Sequence, residues 1–201
     1  MKTVKVAILC SGGGTNLQAI IDAHARGELP HAELALVVGS KDGIYSLERA
    51  ANANIPAAVV ARKAYDNAAD FEAALTALLD DYGIEVIVLA GFLTVLSESF
   101  VKRYPERILN VHPSLIPSFC GDGFYGLRVH EAALEKGVKV TGATVHFVNE
   151  ITDGGRIIAQ KAVDVLEGDT PEILQRRVME QAEWQLLPAA LEKVCHDITE
   201  Q

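Results

Sequence analysis

Three groups of residues have the types and spacing to do chemistry. The first is Cys10-Ser11-Gly12-Gly13-Gly14-Thr15-Asn16, which follows the apolar run Val4–Cys10 and opens into a helical pattern from Leu17. A strand, a glycine loop and a helix in that order aim backbone N–H groups and the positive end of a helix dipole at a ligand, and phosphate suits that position. Glycine permits the tight turn and the close backbone approach. The loop has neither the Gly-Lys-Ser/Thr of a Walker A motif nor the third glycine of GxGxxG. Locally it reads equally as a phosphate cradle or as a turn capped by Ser11 or Thr15.

The second group is Leu109-Asn110-Val111-His112-Pro113-Ser114-Leu115-Ile116-Pro117. It ends a strand candidate, so Asn110 and His112 lie on the same side. In an open α/β sheet the ligand crevice lies at the carboxyl ends of the strands. There an Asn amide can donate to a developing oxyanion and a His can carry protons near neutral pH. The third group is the loop Asn149-Glu150-Ile151-Thr152-Asp153-Gly154-Gly155. Asp-Gly is a common turn. It becomes chemistry only if the chain brings Asp153 to His112, where a carboxylate would orient the imidazole.

The elements that must hold these groups alternate. Strand candidates Val4–Cys10, Leu34–Val38, Ala57–Val60, Val86–Ala90 and 107–111 are interleaved with helical patterns at 17–26, 45–54, 69–82 and 127–136. Val86–Ala90 is wholly apolar, as a central parallel strand buried on both faces should be. Two β-rich runs, 140–148 and 156–165, then flank the loop at 149–155 and read as an antiparallel hairpin. Thr170-Pro171-Glu172 starts a last long helix towards Cys195, with Thr as N-cap, Pro at the first helical position and Pro188 as a bend. The fold class is α/β: a mostly parallel, twisted, Rossmann-like sheet with helices on both faces and a C-terminal antiparallel hairpin. Residues 1–201 read as one domain, at about 150 residues per domain.

Composition removes several classes. Lys and Arg number 18 against 27 Asp and Glu, a net charge of −9, so no basic footprint for nucleic acid is present. The longest apolar stretch, Val86–Leu96, is broken by Gly91 and Thr94 and falls short of the ~20 residues of a membrane helix. The N-terminus lacks a signal-peptide pattern. Cys10, Cys120 and Cys195 are too few and too scattered for a metal site or a disulfide framework, which suits a reducing, cytoplasmic setting. Of the other histidines, His24, His31 and His196 read as solvated, His130 as able to reach the cleft, and His146 as a packed strand residue.

Five segments in order carry a resemblance: 11–16, Ala90-Gly91-Phe92-Leu93, 110–117, Gly142-Ala143-Thr144-Val145-His146-Phe147-Val148, and Asp153-Gly154-Gly155. Together they resemble the glycinamide ribonucleotide formyltransferase family. The resemblance implies transfer of a formyl group from 10-formyltetrahydrofolate, the co-substrate, to the amine of glycinamide ribonucleotide in purine synthesis, without a metal. It implies Asn110, His112 and Asp153 as the catalytic trio. It also implies Gly14, Thr15, Asn16, Gly91 and Glu183 on the nucleotide. For the folate it implies Leu93, Thr94, Val95 and Leu96, with Asn110 and with Asn149, Glu150, Ile151, Thr152 and Asp153. Thr94 and Ala68 stand where many members carry arginines that help position the folate, and the 119–126 segment differs from the shorter form of some relatives. Related enzymes that formylate methionyl-tRNA or hydrolyse formyltetrahydrofolate are the rivals, although neither an added tRNA-binding domain nor an N-terminal regulatory domain is expected here. A non-catalytic nucleotide-binding module would leave the trio unexplained.

Overall fold

The computed structural model describes residues 2–201. Seven strands form one sheet in the order β3-β2-β1-β4-β5-β6-β7. They are β1 (Val4–Cys10), β2 (Ala32–Gly39), β3 (Ala57–Val59), β4 (Val86–Leu89), β5 (Ile108–His112), β6 (Val140–Phe147) and β7 (Ile157–Asp164). The strands β1 to β5 pair in parallel, and β6 and β7 add antiparallel. The helices are α1 (Thr15–Ala25), α2 (Tyr45–Asn52), α3 (Ala68–Asp81), α4 (Glu98–Arg103), α5 (Leu127–Lys136), α6 (Pro171–Val178) and α7 (Trp184–Thr199).

Pleating of β1 explains why both faces are covered. Val4, Val6, Ile8 and Cys10 face one way and join Leu17 and Ile20 of α1, Ala133 of α5, Leu174 of α6 and Leu187 and Leu191 of α7 in one core. Ala7 and Leu9 face the other way and meet Phe71, Leu75 and Leu79 of α3 and Phe100 of α4 in a second core. Each of these side chains is nearly or wholly buried, worth about 1.5–3 kcal/mol apiece for the larger ones.

Strand order reverses between β1 and β4, so the loops after those strands open a crevice at the sheet's C-terminal edge. The Ser11 N–H donates to the Gly91 carbonyl at 3.2 Å across that switch point. The final helical stretch does not simply bend at Pro188. A π-helical turn at Met179–Glu183 separates α6 from α7, and Pro188 lies one turn inside α7. Proline lacks the N–H that would reach the Trp184 carbonyl and crowds it, and the π turn lies immediately upstream.

Candidate active site

The glycine loop ends at Gly14, the N-cap of α1, with φ 71° and no side-chain cap hydrogen bond. Neither Ser11 nor Thr15 caps the helix. Ser11 Oγ instead accepts the Leu93 N–H at 3.0 Å, which ties the glycine loop to the segment after β4. A Cβ on Gly14 would stand 2.7 Å from Ser46 Cβ, so α2 packs directly behind the turn. Arg49 of α2 also braces it, donating from Nε to the Gly13 carbonyl at 2.8 Å and from Nη1 to Gln18 Oε1 at 2.7 Å. Neither Ser46 nor Arg49 was legible as a site neighbour, because the motif ends thirty residues before them.

Asn16 donates from Nδ2 to Glu183 Oε2 at 2.8 Å. The π turn brings Glu183 to this place and buries it. Burial pushes its carboxyl above the ordinary range, and the Asn16 bond only partly opposes that. Asn16 Oδ1 and Ser46 Oγ are buried without a hydrogen-bond partner among the described residues. Beside them opens a pocket of about 360 Å³ lined by Thr15, Gln18, Asp22, Arg49 and Trp184, among others.

At the end of β5 the sheet delivers Asn110 and His112, and the loop after β6 swings Asp153 over them. Asp153 sits at φ 55°, held by the Gly154 N–H donating to the Ile151 carbonyl at 2.9 Å. A side chain at 155 could not be accommodated, since its Cβ would lie 1.7 Å from the Phe147 carbonyl oxygen. Asp153 Oδ2 is 3.4 Å from His112 Nδ1 and accepts the Gly121 N–H at 2.9 Å. His112 Nε2 lies 2.8 Å from the Phe119 carbonyl oxygen. Both ring nitrogens of His112 therefore face oxygen acceptors. Burial raises the Asp153 carboxyl, but the Gly121 N–H that it accepts and the charge of the neighbouring His112 help to outweigh it, so the group ends below the usual range.

His146 joins the cluster rather than merely packing in its strand. Its Nε2 is 3.6 Å from Asp153 Oδ1 and 3.2 Å from Asn110 Nδ2. The segment 119–126 closes over the site by backbone contacts, and Thr152 Oγ1 donates to Asp122 Oδ1 at 3.0 Å. His130 does not open to the cleft. It is wholly buried on α5 with both ring nitrogens unpartnered among the described residues. Burial first, then the charge of His112, pushes it down to about 4.

Of the residues expected to line a folate pocket, Leu93, Val95 and Ile151 are 71%, 85% and 62% exposed, an apolar rim beside the trio. Leu96 instead packs against the second core, and Asn149 Oδ1 accepts the Ile151 N–H at 3.0 Å, shaping the loop from within. Among the described residues no group of three or more His, Cys, Asp or Glu is placed to hold a metal ion, and no helix is long and apolar enough to cross a membrane.

The formyl transferase family model matches residues 4–191. The chain is 41% identical to the phosphoribosylglycinamide formyltransferase of Haemophilus influenzae, over 93% of this chain and 85% of that one. It is 47% identical to the trifunctional purine biosynthetic protein adenosine-3 of Gallus gallus, covering 95% of this chain but only 18% of that protein's length. Among solved structures it is similar to glycinamide ribonucleotide transformylase 1 from Symbiobacterium toebii, with a TM-score of 0.90, 40% identity and coverage of 97% and 89% of the two chains. It is likewise similar to the phosphoribosylglycinamide formyltransferase from Brucella melitensis, with a TM-score of 0.87, 41% identity and 96% of both chains covered. With the glycine loop, the Asn110–His112 strand end and the Asp153 loop meeting at one edge of such a sheet, the chain belongs to the formyl transferase family.

Proposed function

We propose that this chain transfers the formyl group of 10-formyltetrahydrofolate to the amine of glycinamide ribonucleotide by direct attack, with no covalent enzyme intermediate. The observation that carries the reading is the convergence of Asn110, His112 and Asp153 beside an uncapped glycine-loop helix N-terminus. Gly14, Thr15 and Asn16 take the nucleotide phosphate with the first N–H groups of α1, and Gly91 and Glu183 border the rest of the nucleotide. The rim of Leu93, Val95 and Ile151 offers a flat apolar seat to the pterin, with Thr94, Leu96, Glu150 and Thr152 in the same two segments.

Attack by the amine on the formyl carbon makes a tetrahedral oxyanion. Asn110 Nδ2–H and a His112 N–H donate to that oxygen, a stabilisation typically of ~3–4 kcal/mol per donor. His112 faces Phe119 and Asp153 with both nitrogens, so one of these contacts must loosen as the substrate oxygen arrives. The attacking nitrogen loses a proton and the departing folate nitrogen gains one, a relay that His112 and Asp153 carry. Cys120 is not a rival nucleophile, because burial and the charge of Asp153 both raise its thiol. The partners are small molecules, and an acidic chain with its three cysteines free fits a cytoplasmic enzyme that binds neither nucleic acid nor membrane.

The test is to incubate the protein with both substrates and weigh the products. A formyl mass gain on the nucleotide is expected. Free formate without that gain would make the chain a hydrolase, and no reaction would leave a binding module.

A further inference from the structure

Asn110 and His146 face each other as partners in the antiparallel β5–β6 ladder. On the other side of β6 the pairing with β7 slips register between Val145 and His146. Such a bulge re-aims a side chain, and it is found next to active sites. Here it leaves the imidazole wedged between two members of the trio.

The protonation of the ring follows from its partners. His146 Nδ1 lies 2.8 Å from the Phe147 carbonyl oxygen, which only accepts, so Nδ1 carries the hydrogen. In the neutral ring Nε2 is then bare. That lone pair stands 3.2 Å from Asn110 Nδ2, which donates to it. We propose that His146 is a positioning residue that holds the Asn110 amide with its nitrogen turned to the reacting carbonyl. The proposal rests on the formyl-transfer reading above and deepens it.

The physical need is specific to an amide. Its terminal torsion is soft and roughly two-fold, so N and O exchange places at little cost unless a neighbour chooses between them. Nδ2 has two hydrogens: one goes to His146 Nε2, and the other remains for the developing oxyanion. A turned amide would present Oδ1 instead, removing a donor and adding repulsion where negative charge grows. Asp153 Oδ1, 3.6 Å from the same Nε2, competes for it. A proton on Nε2 would satisfy Asp153 and repel the Asn110 N–H, so the Phe147 carbonyl, by keeping the hydrogen on Nδ1, also selects the amide orientation.

The experiment compares His146→Phe, which keeps a ring without an acceptor, with His146→Gln, which can place an amide oxygen near the position of Nε2. The Phe variant is expected to lose about 10–100-fold in kcat with both KM values within about twofold, and the Gln variant to recover most of the loss. In an Asn110→Ala background, His146→Phe should add less than about twofold, because its target is already gone. Losses that multiply would overturn the proposal. A second readout needs no turnover. Nitrogen-15 spectra of the wild type should show His146 protonated at Nδ1 and bare at Nε2, and the Asn110 side-chain amide signal should shift in His146→Gln. A hydrogen on Nε2 at neutral pH, or an amide signal indifferent to position 146, would overturn it even if the Phe variant fails to fold. A wild type that transfers no formyl group would sink the functional reading, while these spectra would still decide the orientation.

Discussion

Asn16 and Glu183 stand 167 residues apart in the chain, yet their side chains meet at 2.8 Å, with the amide donating to the carboxyl. This contact joins the first helix to the last and sets two polar groups at the rim of the glycine loop. Both are buried enough that their pairing matters to stability as well as to ligand binding.

Glu183→Gln should therefore separate the two effects. The folded carboxyl is raised above its ordinary 4.5, so the folded state holds a proton that the unfolded chain releases. Wild-type stability should fall as pH rises above the unfolded value, until it passes the folded one, and the Gln variant should lack that fall. At neutral pH the variant should melt about 2–4 °C higher, the shift that ~1 kcal/mol gives a chain of this size, while its nucleotide KM rises. Calorimetry across pH together with steady-state kinetics checks both. An unchanged melting temperature would mean that Glu183 is ionised and well paired in the fold.

Asp153→Asn keeps the shape of the loop and removes its charge. On the proposed mechanism kcat should drop about 100-fold or more, with KM changing much less, since the lost interaction acts on the transition state. The lowered carboxyl also contributes stability that is present above the unfolded value of 3.8 and is lost as pH falls through the folded one. Acid unfolding of the variant should lack that component. Full activity in Asp153→Asn would reduce the residue to a turn.

Gly14→Val tests the phosphate cradle. A β-branched residue at φ 71° is strained by about 1–2 kcal/mol, and its Cβ would meet Ser46 Cβ at 2.7 Å. The nucleotide KM should rise far more than the folate KM. Equal changes in both, or none, would detach the loop from the nucleotide.

His130 makes an acid-sensitive core. Its folded value near 4 lies below the ordinary 6.5, so the unfolded chain takes up a proton between these limits and the folded protein does not. Stability should decline as pH drops from 6.5 towards 4, by about 3 kcal/mol in all. His130→Phe should flatten that decline. Urea titrations at several pH values decide it, and equal slopes in the two proteins would show the imidazole to be hydrated.

Much of the sheet was readable because its signals are local: β4 is a short, wholly apolar run, and α5 starts and stops where its residues say, with Gly137 at φ 74° as the C-cap. Helix α4 leaves no periodic signal, because six residues make fewer than two turns. The π turn left no pattern, since it is a compromise between distant packing demands. The proximity of Asp153 to His112, and of His146 to Asn110, depends on register between strands joined through residues 113–139. Spacing along the chain carries none of that. His146 reads as a core residue because its strand pattern buries it, and only the structure reveals Asn110 as its cross-strand partner.

The π turn at Met179–Glu183 has a consequence for rotational phase. Each residue of an α-helix turns the next by about 100°, so a continuous helix from Pro171 to Thr199 would lock the azimuth of Glu183 to those of Leu174 and Leu191. The wider turn uncouples them. Leu174 and Val178 can seat one way, Leu187, Leu191 and Val194 another, and the carboxyl between them can still face Asn16. Deleting a single residue within this turn would restore the ordinary pitch and force a choice between a seated apolar stripe and an aimed carboxyl. The helix would survive as a helix, out of step with the loop it serves.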